Sequence, residues 1–195
     1  MRTTILVLFT TLVCLSTECL GQSIPKPVRT ILDNRFHDWR IIKYSLPSGC
    51  IEDQSGKLNT GAKSFYRCNL NNDSIPDYAL RIVTGRDSNL VEYFLAIVSN
   101  IKSSDLFVVD SCRAFQGAGH RYLWIYRSGE EITMFGGEGS PEILAYAQKT
   151  KHAETVAFPV DAIQLEPICE SYYKAVEIST YVFIRGKFYE FSSGD

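Results

Sequence analysis

The sequence predicts an α+β fold: an antiparallel β-sheet built of meanders and hairpins, with an N-terminal amphipathic helix packed on it. Three observations carry this. Val28, Ile31, Leu32, Phe36 and Trp39 recur at helical spacing early in the chain. After Arg40 the pattern changes to short apolar and β-branched runs. Those runs are separated by tight turn signals, and short strands joined by tight turns imply antiparallel pairing.

The chain has 195 residues, room for one domain of ordinary size. Hydrophobic residues make up 45% and charged residues 22%, a globular composition that excludes disorder and collagen-like structure. Lys plus Arg number 20 against 22 Asp plus Glu, a formal charge of −2. Binding to nucleic-acid phosphates needs a basic field, so no nucleic-acid partner is expected.

Residues 1–21 read as a secretory signal peptide. Arg2 precedes an apolar run from Ile5 to Leu15, and Cys19-Leu20-Gly21 before Gln22 supplies a small-residue cleavage site. The run is too short to span a bilayer, which takes about 20 apolar residues. Lipoprotein acylation is not expected, because Cys14 follows Val13 and Cys19 follows Glu18. Residues 22–195 then form a single globular domain, not membrane-spanning, periplasmic or secreted.

Pro25-Lys26-Pro27 suits a helix start, and the apolar period predicts a helix over roughly Pro27–Asp38. Ile41–Tyr44 is a short β-prone run, and 48–63, with Gly49, Gly56 and Gly61, is loop-like. Strands follow at Tyr78–Val83, Val91–Val98 and Leu106–Val109, with a turn at Gly85–Asn89. Tyr122–Tyr126 and Glu131–Phe135, around Ser128-Gly129, predict a hairpin. Residues 136–140 are a Gly-rich break, and 141–151 suits either a short helix or a loop. Ala162–Leu165 alternates like a strand. Ile178–Ile184 and Phe188–Phe191, joined at Arg185-Gly186-Lys187, predict a closing hairpin.

Four cysteines remain after signal cleavage: Cys50, Cys68, Cys112 and Cys169. An even number in an exported protein predicts disulfides, and four allow three pairings. Cys50–Cys68 is favoured because the two flank a loop-like segment, which leaves Cys112–Cys169. Zinc is not expected, since there is no Cys-x-x-Cys pair and no His at ligand spacing.

The segment that carries chemistry is Asn69-Leu70-Asn71-Asn72-Asp73-Ser74-Ile75-Pro76-Asp77. Oxygen-bearing side chains stand at loop positions 1, 3, 5 and 9: Asn69, Asn71, Asp73 and Asp77. A hard cation such as calcium takes about 6–8 oxygen ligands. Alternate residues of a coiled loop can turn their oxygens to one centre, and the Ile75 carbonyl can add another. The alternative is a metal-free Asx-rich turn feeding a strand.

This pattern resembles the D-x-[ND]-x-D-G-x-x-D calcium loop of FG-GAP and VCBS-type repeats, found in integrin-like propellers and many exported bacterial proteins. The resemblance covers about ten residues, in a single degenerate copy, and implies ligand roles for Asn69, Asn71, Asp73, Asp77 and the Ile75 carbonyl. Position 1 is Asn rather than Asp, and position 6 is Ser74 rather than Gly. Two carboxylates imply weak binding, about 10⁻⁴–10⁻³ M. The loop is not an EF-hand, because position 12 is Leu80 and not Glu. Propellers repeat the loop in every blade; here it stands as an isolated graft.

No G-x-S-x-G elbow, His-Glu-x-x-His or phosphate loop is present. His37 and His152 read as surface residues. The expected function is therefore an exported, disulfide-containing, non-enzymatic binding or accessory protein, with an unidentified protein or small molecule as partner and weak Ca2+ as its one cofactor. Two alternatives stand beside it. One is a small exported hydrolase that pairs His120 with Asp110 or Glu138. The other is an inhibitor- or immunity-type protein that uses exposed aromatics.

Overall fold

A computed structural model describes residues 24–41, 63–86, 89–113, 121–134, 139–152, 154–167 and 178–194. It is mostly antiparallel β-sheet with a few short helices, an α+β or β-rich fold. The signal peptide, Cys50, His120, Glu138 and Cys169 lie outside the described residues.

The first helix, α1, runs Lys26–Arg35, with Pro25 at its cap and Pro27 in its first turn. Proline is tolerated there because first-turn N–H groups have no intrahelical partner. The helix is shorter than its apolar period predicts. Phe36 already has extended backbone, and its N–H closes the last turn on the Leu32 carbonyl at 2.8 Å. Phe36 instead packs on Tyr93, ring centroids 5.0 Å apart. Trp39 folds back so that its indole N–H donates to Asp33 Oδ1 at 2.8 Å.

Five strands form the first sheet: β1 (Arg40–Ile41), β2 (Phe65–Cys68), β3 (Asp77–Thr84), β4 (Val91–Ser99) and β5 (Ser104–Arg113). Their order is β1-β3-β4-β5, with β2 also paired to β3, and every pairing is antiparallel. One face of this sheet meets α1: Val28 and Leu32 are buried against Phe65, Leu80, Ile82, Leu95 and Ile97.

The second sheet holds β6 (Arg121–Tyr126), β7 (Ile132–Met134), β8 (Gln148–Lys149), β9 (Thr155–Ala157), β10 (Ala162–Pro167), β11 (Ile178–Ile184) and β12 (Lys187–Gly194). Their order is β6-β10-β11-β12-β7-β9-β8. This corrects one expectation: β6 and β7 are not a hairpin. β6 pairs with β10 over six residues, and β7 pairs with β12 and β9. Apolar alternation identifies a strand without naming its partner. The turn after β6 is nevertheless real, with Gly129 at φ 84° and the Glu130 N–H donating to the Arg127 carbonyl. The closing hairpin is present in full register from Ile184↔Lys187 to Ile178↔Ser193. Arg185 and Gly186 both take positive φ at its turn, which suits the right-handed twist of the flanking strands.

The two sheets face each other. Leu70, Ala79, Phe94 and Ala96 from the first bury against Leu123, Ile125, Ile163, Leu165 and Tyr181 from the second. The second sheet's other face is covered by Ile143 of α2 (Pro141–Tyr146) together with Phe158 and Val160. The order of layers is therefore helix, sheet, sheet, helix. Among the described residues, no helix is long and apolar enough to cross a membrane.

Candidate functional site

The loop from Asn69 to Pro76 joins β2 to β3, and Asp77 opens β3. Two hydrogen bonds of Asx type and one between side chains fold it. The Asp73 N–H donates to Asn71 Oδ1 at 3.1 Å, the Ile75 N–H donates to Asp73 Oδ1 at 2.7 Å, and the Asn71 amide donates to Asp73 Oδ2 at 2.9 Å. The one left-handed residue in the loop is Asn72, at φ 59°. Asparagine tolerates that region well. Ser74 does not take positive φ, so replacing glycine at position 6 costs no backbone strain here.

Asp77 is fully buried and anchors the loop from below. Its Oδ2 accepts the Leu70 N–H at 2.6 Å, and its Oδ1 accepts the Ser99 N–H at 2.7 Å, at the end of β4. Burial nevertheless raises its pKa above the ordinary carboxylate value; the Ser99 and Leu70 N–H groups oppose the rise, and the Asp73 charge adds to it. Asn71 reaches the same strand end, its amide donating to the Ser99 carbonyl at 2.7 Å. The predicted ligands therefore divide. Asn71 and Asp77 are tied to Ser99, whereas Asn69, Asp73 and Ile75 line an open cavity of about 300 Å³.

Arg67, Cys68, Ser74, Pro76, Arg127 and Asp161 complete that cavity. Asp161 precedes β10 and is 5% exposed. Its carboxylate gathers the Asn69 N–H at 3.0 Å, the Ser128 N–H at 2.9 Å and Arg127 Nη1 at 2.8 Å. Arg127 Nη1 also donates to the Arg67 carbonyl at 3.2 Å. A single carboxylate thus fastens the loop of the first sheet to the β6 end of the second. Asp161 and Arg127 were not legible as site residues: each is an isolated charge in the sequence, far from the loop.

Cys68 is a buried thiol beside these groups, and burial together with the Asp77 and Asp161 charges pushes its pKa well above the usual value. Cys112 is also a thiol, half-buried, its S–H 3.9 Å from Glu92 Oε2; burial first, then the Glu92 and Asp110 charges, push it up to about 11. Their expected disulfide partners, Cys50 and Cys169, fall outside the described residues. Asp110, the carboxylate of the hydrolase alternative, is engaged by Arg121 at 2.8 Å.

The loop fits a hard cation in the kind of its donors. Among the described residues, no group of three or more His, Cys, Asp or Glu side chains could hold a metal ion. The loop offers instead two carboxylates, two carboxamides and a carbonyl. Asn69 Oδ1 is buried and accepts no hydrogen bond. Each carboxylate oxygen of Asp73 and Asp77 has a second lone-pair site beyond the N–H it accepts.

No protein-family model matches the chain, and comparison with curated proteins and with solved structures likewise finds no match.

Proposed function

We propose that the chain is an exported, non-enzymatic binding module, periplasmic or secreted, whose loop Asn69–Asp77 takes up a calcium ion weakly. The observation that carries this reading is Asn69 Oδ1, a buried acceptor with no partner at the head of the loop. Leaving such a group unsatisfied costs about 1–3 kcal/mol, and a cation supplies the missing contact. Asp73 and Ile75 border the same cavity, and the alternating donors match the resemblance to FG-GAP and VCBS-type loops. Asn69, Asn71, Asp73, Asp77 and the Ile75 carbonyl would hold the ion, and the ion would fasten the loop. Calcium outside the cytoplasm suits weak affinity.

The test is thermal melting of the mature chain with several millimolar calcium, against magnesium. Binding at a few times Kd stabilises by about 1 kcal/mol. A calcium-specific rise in Tm in the wild type, absent from Asp73→Ala, supports the reading. No rise, or an equal rise in Asp73→Ala, leaves the loop a polar turn.

A further inference from the structure

β1 and β2 lie along the same side of β3, the side that β4 does not occupy, and both run antiparallel to it. Arg40 stands opposite Val83 and Ile41 opposite Ile82. The second ladder begins with Phe65 opposite Leu80 and ends with Cys68 opposite Asp77. Between the two ladders lies Arg81, and Ser64 takes the place opposite it: the Arg81 N–H donates to the Ser64 carbonyl at 2.9 Å. Ile41 and Ser64 therefore hold consecutive positions of one strand, about 3.4 Å apart along it, although residues 42–63 separate them in the chain.

The faces agree with the register. Successive residues of a strand point to opposite faces of the sheet. Ile41 packs on the α1 side with Leu80 and Ile82, and so does Phe65. Tyr66 and Cys68 pack on the other side, between the sheets, with Ala79. Ser64, between Ile41 and Phe65 on the strand, is buried. The chain thus returns to the strand in the phase in which it left. A return one position early or late would turn Phe65 to the wrong face.

We infer that β1 and β2 are one continuous edge strand, and that the fold is complete without residues 42–63. The chain leaves the strand after Ile41 and rejoins it at the next position, so joining those ends adds no strain to the ladder. Lys63, the one described residue of this segment, is exposed; its N–H donates to the Tyr66 hydroxyl at 3.0 Å, an exposed bond whose loss costs little. Excision also removes the entropy cost of closing a long loop. The inference does not depend on the calcium reading, because the loop Asn69–Asp77 lies wholly outside the excised segment.

Two shortened forms of the mature chain test it. In the first, Ile41 is joined directly to Ser64. In the second, Ile42 is kept between them, which puts one residue too many into the strand. The direct join should unfold cooperatively, and its Arg81 amide should exchange with deuterium as slowly as in the full chain. The longer join carries a bulge or a shifted register, and should melt about 2–4 °C below the direct join. Failure of both forms to fold means that residues 42–63 belong to the fold, and overturns the inference. So does a longer join as stable as the direct one or more so, or rapid exchange of the Arg81 amide in the direct join, because Ile41 and Ser64 are then not neighbours on one strand.

Discussion

Asn69 and Asp161 exchange two hydrogen bonds across 92 residues of chain: the Asn69 N–H donates to Asp161 Oδ2 at 3.0 Å, and the Asp161 N–H donates to the Asn69 carbonyl at 2.8 Å. The pair joins the two sheets beside Cys68 and Leu70, which lie in the apolar layer between them. It also fixes the first residue of the loop, so the position of Asn69 depends on the second sheet. On the function proposed above, a cation held by the loop would therefore be coupled to the contact between sheets through one carboxylate.

Replacing that carboxylate tests the coupling. Asp161→Ala strands the Asn69 and Ser128 N–H groups and removes the ion pair of Arg127, which keeps its bond to the Arg67 carbonyl. The two stranded donors are only part-buried, so each costs toward the lower end of about 1–3 kcal/mol, and Arg127 adds little because it is half exposed. A loss of about 2–4 kcal/mol in urea unfolding is expected. Arg127→Gln should cost less, since water can reach its site. A loss below 1 kcal/mol for Asp161→Ala means that the clasp contributes little.

The strands were legible because their chemistry is local. β3, β4, β11 and the closing hairpin all appear as apolar or β-branched runs ended by turn residues. The partner of a strand is not local information, which is why β6 and β7 read as a hairpin but sit apart in the sheet. β2 gives no clear strand signal in the sequence, because Phe65–Cys68 is short and interrupted by Arg67. At the site, the spacing of Asn69, Asn71, Asp73 and Asp77 was visible, while their anchors were not. Ser99 acts through its backbone, and Asp161 acts from the other sheet. A backbone N–H leaves no mark in a sequence.

The helix contact can be measured residue by residue. Leu32 is fully buried against the first sheet, and Ile31 only partly so. Leu32→Ala should cost about 2–5 kcal/mol, because the lost side chain leaves a cavity. Ile31→Ala should cost clearly less. Equal, small losses at both positions would mean that α1 does not pack on the sheet in solution.

Cys68 offers a probe of the inner layer. Its thiol is buried between the sheets and held protonated by burial and by Asp77 and Asp161. Thiolate is the reactive form, so a maleimide or Ellman reagent should not reach Cys68 in the native protein. Peptide mapping after labelling should show Cys68 modified only when denaturant is added. Rapid native labelling of Cys68 would contradict its place in the core.

Arg81 and Glu92 form a fully buried ion pair on β3 and β4. Breaking such a pair leaves one charge uncompensated. Glu92→Ala should therefore cost about 3–5 kcal/mol, and the double change Arg81→Met, Glu92→Leu should recover most of the loss. Additive losses in the double variant would show that the two residues act separately.

The last expectation concerns pH and the cation. The pKa of Asp77 is raised by burial, so the folded chain favours its protonated form. The stability this lends is present below the ordinary carboxylate value of 3.8 and is lost as pH rises through the raised folded value. Above that value Asp77 is a buried anion held by backbone N–H groups alone. A cation in the loop favours the ionised form, so calcium and the proton compete for Asp77. The calcium-induced rise in Tm should therefore be largest near neutrality and should fade toward about pH 4. Asp77→Asn carries no charge to compete for, and it gives up an acceptor needed by Leu70 or Ser99. It should be less stable than the wild type in calcium at neutral pH, and whatever calcium shift survives should not depend on the Asp77 titration. A wild-type shift that stays constant from pH 7 to about pH 4 would place the ion away from Asp77 and remove that residue from the ligand set.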